Sequence, residues 1–96
     1  MSDLGKIIKQ GSFYNKMCGF GTITLREDRI QASCPRGQTS LQFMLHEITL
    51  FRMTKRGIYI DNFYFRIDDI TEWMKAILQA LDAHGIQYEA NGYHII

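Results

Sequence analysis

Residues 69–85 read DITEWMKAILQALDAHG, and the reading of this stretch decides the fold. Ile70, Trp73, Met74, Ile77, Leu78 and Leu81 recur at three- and four-residue spacing, which puts them on one face of an α-helix. Asp69 and Glu72 read as a capping-box start, with both acids favoured by the helix dipole. Gly85 after His84 reads as the stop, since glycine accepts the left-handed conformation that ends helices. The spacing predicts a helix over about 69–84, packed on the protein's own sheet through that stripe. Trp73 is the expected plug of the core.

Upstream the period changes to two, the mark of strands, over about residues 6–67. Ile23 and Leu25 share one strand face, with Thr22 and Thr24 on the other. Ile30, Ala32 and Cys34 alternate with Gln31 and Ser33, and two further apolar rows are Leu41, Phe43, Leu45 and Phe63, Phe65, Ile67. Ile48–Thr54, Gly57–Ile60 and an opening strand around Lys6–Tyr14 bring the expected number to seven. Glu27-Asp28, Lys55-Arg56-Gly57 and Asp61-Asn62 supply tight turns and Pro35–Ser40 a looser one. No connection is long enough for a parallel crossover, so every pairing is expected to be antiparallel. The tail, residues 86–96, reads as a small hairpin or an added edge strand around Asn91-Gly92.

The 96 residues are one domain's worth of chain, 1–96, and 46% hydrophobic with 22% charged residues is ordinary for a folded domain. No run approaches the ~18 apolar residues of a membrane-spanning helix, and no signal-peptide core opens the chain. The expected setting is cytoplasmic. Two cysteines, Cys18 and Cys34, fit the same setting as free thiols, because small secreted domains are usually richer in bridges. The net charge of +1 excludes a uniformly basic footprint, but its distribution is uneven. Residues 1–67 hold ten Lys/Arg against five Asp/Glu, and residues 68–96 hold one against five.

Seven antiparallel strands followed by one amphipathic helix is also the element order of the pleckstrin-homology-like superfold. Gly19-Phe20-Gly21-Thr22-Ile23-Thr24-Leu25-Arg26-Glu27-Asp28-Arg29-Ile30 resembles the G-x-L-x-L-T-x-x-R-L hairpin of GRAM domains and bacterial pleckstrin-homology-like domains. His46-Glu47-Ile48-Thr49-Leu50 is similar to the start of their I-x-x-I strand, and Tyr64 through Leu81 to their last strand and helix. The resemblance spans about Lys6 to His84. It implies an α+β, mainly β fold: two nearly orthogonal sheets forming a partly open barrel, closed at one end by the helix. Physical reasoning asks for a similar solution, because one helix cannot cover seven strands unless the sheet folds over on itself.

The residues carry little that points to catalysis. His46, His84 and His94 are scattered, and Cys18 and Cys34 lack zinc-site spacing. Cys34 paired with His46 is a conceivable nucleophile, but Cys34 shares the apolar face of Ile30 and Ala32 and reads as a buried structural sulfur. Gly19 and Gly21 lack the strand-to-helix context of a phosphate loop. The expectation is a protein that is not an enzyme, with no cofactor and no metal.

The basic residues are the remaining candidates. Alternate turns of an antiparallel sheet fall at opposite ends, so Lys16 and Arg36 share an end away from Glu27 and Asp28, and Lys55-Arg56 separate likewise from Asp61. The resemblance implies phosphoinositide binding, yet the second strand opens Cys18-Gly19-Phe20-Gly21-Thr22 with no charge before Arg26, and the Asp61-Asn62 loop is short. The leading expectation is a non-catalytic binding module acting through protein contacts or self-association. The alternative is a peripheral membrane module using a basic rim of Lys9, Lys16, Arg36, Lys55 and Arg56, at roughly 1 kcal/mol per residue near an anionic surface. Nucleic acid is disfavoured, because the aromatics alternate with core positions instead of forming a stacking platform.

Overall fold

In the computed structural model, which describes residues 6–17, 19–34, 39–89 and 94–95, the chain runs as seven strands, a helix and a short hairpin. The strands are β1 (Ile7–Asn15), β2 (Gly19–Arg26), β3 (Arg29–Cys34), β4 (Thr39–Met44), β5 (Phe51–Met53), β6 (Gly57–Ile60) and β7 (Phe63–Ile67). Helix α1 (Ile70–Ala83) follows, then β8 (Tyr88–Glu89) and β9 (His94–Ile95). Every pairing is antiparallel.

The seven strands form one curled sheet, a half-barrel in the order β4-β3-β2-β1-β7-β6-β5, where two orthogonal sheets were expected. The reason lies in β1. It pairs with β2 from Ile7↔Arg26 to Asn15↔Gly19 and with β7 through Phe13↔Ile67 and Tyr14↔Arg66, so the ladder never breaks. The resulting seam between the halves is two residue pairs long.

Alternation sorts the faces. Phe13, Ile23, Leu25, Ile30, Ala32, Phe65 and Ile67 point into the curl, where α1 covers them with Trp73, Met74, Ile77, Ala80 and Leu81. Trp73 is buried as expected at 2% exposure, its indole against Gly11 on β1, where a Cβ would sit 3.4 Å from the ring. The helix start differs from expectation. Asp69 holds a left-handed backbone (φ 55°) in place of the extended one usual for a capping residue, and it makes no capping hydrogen bond through its side chain. Its carbonyl accepts the Trp73 N–H instead, at 3.0 Å. The stop matches: Gly85 (φ 68°) donates to Asp82 O and Ile86 to Leu81 O, the paired bonds of a Schellman motif.

The segment between β4 and β5 is less regular than its alternation implies. Leu45, read as strand, opens a 3₁₀ turn over Leu45–Glu47 and stays fully buried, its N–H on Asp28 O at 2.9 Å. β5 keeps three residues of the expected Ile48–Thr54. The β6–β7 turn fixes this segment: Asp61 accepts at Oδ1 from Thr49 N–H (2.9 Å), Thr49 Oγ1 (2.8 Å) and Leu50 N–H (3.0 Å). The tail resolves to the hairpin alternative, with Tyr88↔Ile95 and Glu89↔His94 paired outside the main sheet and β9 against β5.

The expectation of two free thiols is overturned. Cys34 is disulfide-bonded, and no cysteine among the described residues is free; Cys18, the chain's other cysteine, lies outside them. Pairing of β2 with β3 brings the end of β3 back to the level of the start of β2. The Glu27-Asp28 turn implies that return, which the cysteine count alone leaves out. The inference from cysteine count to a reducing compartment loses its footing with it. No helix among the described residues is long and apolar enough to cross a membrane.

Candidate functional site

The same alternation that fills the core leaves an unusual set of side chains on the outer face around the β1–β7 seam. Phe13 and Asn15 point inward, so Tyr14 points out; Phe65 and Ile67 point inward, so Tyr64 and Arg66 point out. Register then aligns them. Tyr14 stands opposite Phe20 on β2 and opposite Arg66 on β7, and Tyr64 opposite Tyr59 on β6. Tyr14 meets Phe20 edge-on at 5.1 Å, Tyr59 meets Tyr64 at 4.8 Å, and the Arg52 guanidinium lies over the Tyr59 ring at 5.3 Å. Phe20 is 77% exposed and Met17, in the β1–β2 turn, 84%.

Two shallow depressions flank Tyr14 and Arg66, which line both. One, of about 420 Å³, is completed by Ser12, Phe13, Phe20 and Asp68. The other, of about 540 Å³, runs past Lys16, Met17, Asn62, Tyr59 and Tyr64 to Arg56. Close approach shapes its floor: Gly57 has the Tyr64 hydroxyl and the Phe65 carbonyl where a Cβ would be, so no larger residue fits beneath that ring. Asn15 supports the edge, donating from Nδ2 to Tyr64 O at 2.7 Å and accepting the Met17 N–H at 2.7 Å.

Among the described residues, none of Lys16, Arg56 and Arg66 is in an ion pair. The acid at the opposite turn is occupied. Asp28 binds Arg29 at 2.8 and 2.9 Å, and those bonds hold its carboxyl below the ordinary range against slight desolvation, while raising Arg29.

The five residues of the expected basic rim are divided. Lys16 and Arg56 border the larger depression, and Lys55 is exposed beside Arg56 in the β5–β6 turn. Lys9 is elsewhere: half-buried, with Nζ 5.5 Å from the centre of the Trp73 ring, it packs the helix onto β1. It sits seven residues up the strand from Lys16, about 23 Å at strand rise. Arg36 lies outside the described residues. Sequence reasoning missed Arg66, Arg52 and the outward aromatics Tyr14, Phe20, Tyr59 and Tyr64. The signal was present, because rows that send Phe63, Phe65 and Ile67 inward must send Tyr64 and Arg66 outward. Which outward residues become neighbours depends on strand order.

No group of three or more His, Cys, Asp or Glu side chains among the described residues is placed to hold a metal ion. Comparison with protein-family models, with curated proteins and with solved structures found no match to this chain.

Proposed function

We propose that this chain is a non-catalytic binding module of pleckstrin-homology-like architecture that makes protein contacts through the outer face around its β1–β7 seam. A half-barrel capped by one C-terminal helix is compatible with that architecture. The observation that carries the reading is the pairing of Phe20, 77% exposed, with Tyr14 in one outer-face row, Met17 beside them. Single exposed apolar residues are common, whereas a contiguous exposed group with cations at its border marks interaction surfaces. The test replaces Phe20 with a photocrosslinking benzoylphenylalanine in the cells that express the protein, with Lys75 on the solvent side of α1 as control. Protein adducts, or adducts between two copies of this chain, are expected from position 20 and not from position 75. Equal yields at the two positions, or none at position 20, overturn the reading.

A second reading is peripheral attachment to an anionic lipid surface. It is favoured by Lys16 standing next to Met17 at the tip of the β1–β2 turn, a cation beside an exposed apolar side chain. Lipid adducts at position 20 in place of protein adducts would select it.

A further inference from the structure

We infer that the seam face takes an acidic linear peptide carrying a large apolar residue, a statement about partner chemistry that rests on the module reading above. The two depressions are adjacent, share Tyr14 and Arg66, and have different walls. The smaller is walled by the outward rings of Tyr14 and Phe20 and suits an apolar side chain. The larger is bordered by Lys16, Arg56 and Arg66, cations without a carboxylate partner among the described residues, over a tyrosine floor. Three unpaired cations along a groove repel one another and attract a run of carboxylates, which arginine can bind through two parallel hydrogen bonds. One apolar anchor with flanking acids, spaced along an extended chain at about 3.3 Å per residue, matches both halves at once.

Position separates a peptide from a bilayer. Arg66 and Tyr14 lie within strands, facing each other across the seam, and although Lys16 and Arg56 stand in the adjoining turns, all three cations border concavities of side-chain size. A flat bilayer is met by projecting tips; a groove in the face of a sheet is filled by a chain. Asp68 is the one acid lining either depression, and it borders the apolar half, where an anchor residue and not a carboxylate is placed.

The experiment uses the full 96-residue chain and fluorescence anisotropy of a labelled decapeptide of alternating Asp and Glu with Leu-Phe at its centre. Three further probes accompany it: the same peptide with Lys at each acidic position, the same with Gly-Ser at its centre, and vesicles of phosphatidylserine and phosphatidylcholine. Saturable binding is expected for the first peptide, weakening as salt rises. Arg66→Glu and Phe20→Ser should each weaken it at least tenfold, and Gln42→Glu, on the outer face of β4, less than twofold. Thermal melts confirm that each variant folds, and Arg66→Gln, which removes charge without reversing it, substitutes if Arg66→Glu does not. The proposal is overturned by absent saturation, by equal binding of the Lys peptide or the Gly-Ser peptide, by indifference to both variants, or by vesicles recruiting the chain where the peptide does not. Protein adducts at position 20 together with failure of the acidic peptide would leave the module reading standing and remove this partner chemistry alone.

Discussion

Asp61 accepts three hydrogen bonds from Thr49 and Leu50 while its own backbone holds a left-handed conformation (φ 52°), so one side chain ties the β6–β7 turn to the segment before β5. Burial opposes its ionised form, and the bonds from the Thr49 N–H, the Leu50 N–H and the Thr49 hydroxyl outweigh it, holding the carboxyl below its ordinary 3.8. The folded value being the lower one, the unfolded chain takes up the proton first as pH falls. The stabilisation is therefore complete above the ordinary value and is lost as pH drops through the folded one. Asp61→Asn keeps a residue that tolerates positive φ but gives up the charge. The expected outcome is a loss of about 1 kcal/mol at neutral pH, shrinking as pH falls below the ordinary carboxyl value. Urea titrations of both proteins across that range check it, and a loss independent of pH would assign the effect to shape and not to ionisation.

At the scale of the elements, Trp73 ties α1 to β1 by lying on Gly11 with Lys9 over its ring. Trp73→Ala should cost roughly 3–5 kcal/mol, read from denaturant titration; a loss under about 1 kcal/mol would contradict its burial. The helix was legible because its stripe is a local property: residues three and four apart meet whatever the rest of the chain does. So were the seven strands and the Asp61-Asn62 turn, whose positive φ is a property of the residue itself. The cap at Asp69 was not. A capping pattern specifies which side chain is available, while the bond also needs an extended backbone at the cap, and Asp69 is left-handed. Leu45 shows the same limit, its alternation signalling burial correctly and the element wrongly. At the candidate face the sequence yielded Lys16 and Arg56, and the order β1-β7-β6 supplied Arg66 and the tyrosines around them.

At the scale of the whole molecule, the disulfide at Cys34 closes a loop that sequence reasoning left open. Reduction is expected to lower stability by about 2–4 kcal/mol, seen as a lower melting temperature in reductant and a mass gain of two hydrogens after it. An unchanged melt with the mass gain complete would show that the bridge adds nothing to folding. The β1–β7 seam has a broader consequence. Two residue pairs join a four-stranded half to a three-stranded half, and Asn15 doubles the joint by bonding Tyr64 O from one half and the Met17 N–H from the other. Asn15→Leu strips both bonds and should cost about 1–3 kcal/mol, with hydrogen exchange at the amides bonded across the β1–β7 seam accelerating before that of the β2–β3 amides. Uniform acceleration throughout the sheet would show that the joint is no weaker than its surroundings. In backbone pairing alone the sheet is two plates on a short hinge with Tyr14 and Arg66 as its leaves, while Phe43 of β4 reaches across the curl to Phe63 and Phe65. Anything that grips both Tyr14 and Arg66 would act as a splint across the joint, and occupancy of the outer face is then expected to register as added stiffness of the half-barrel.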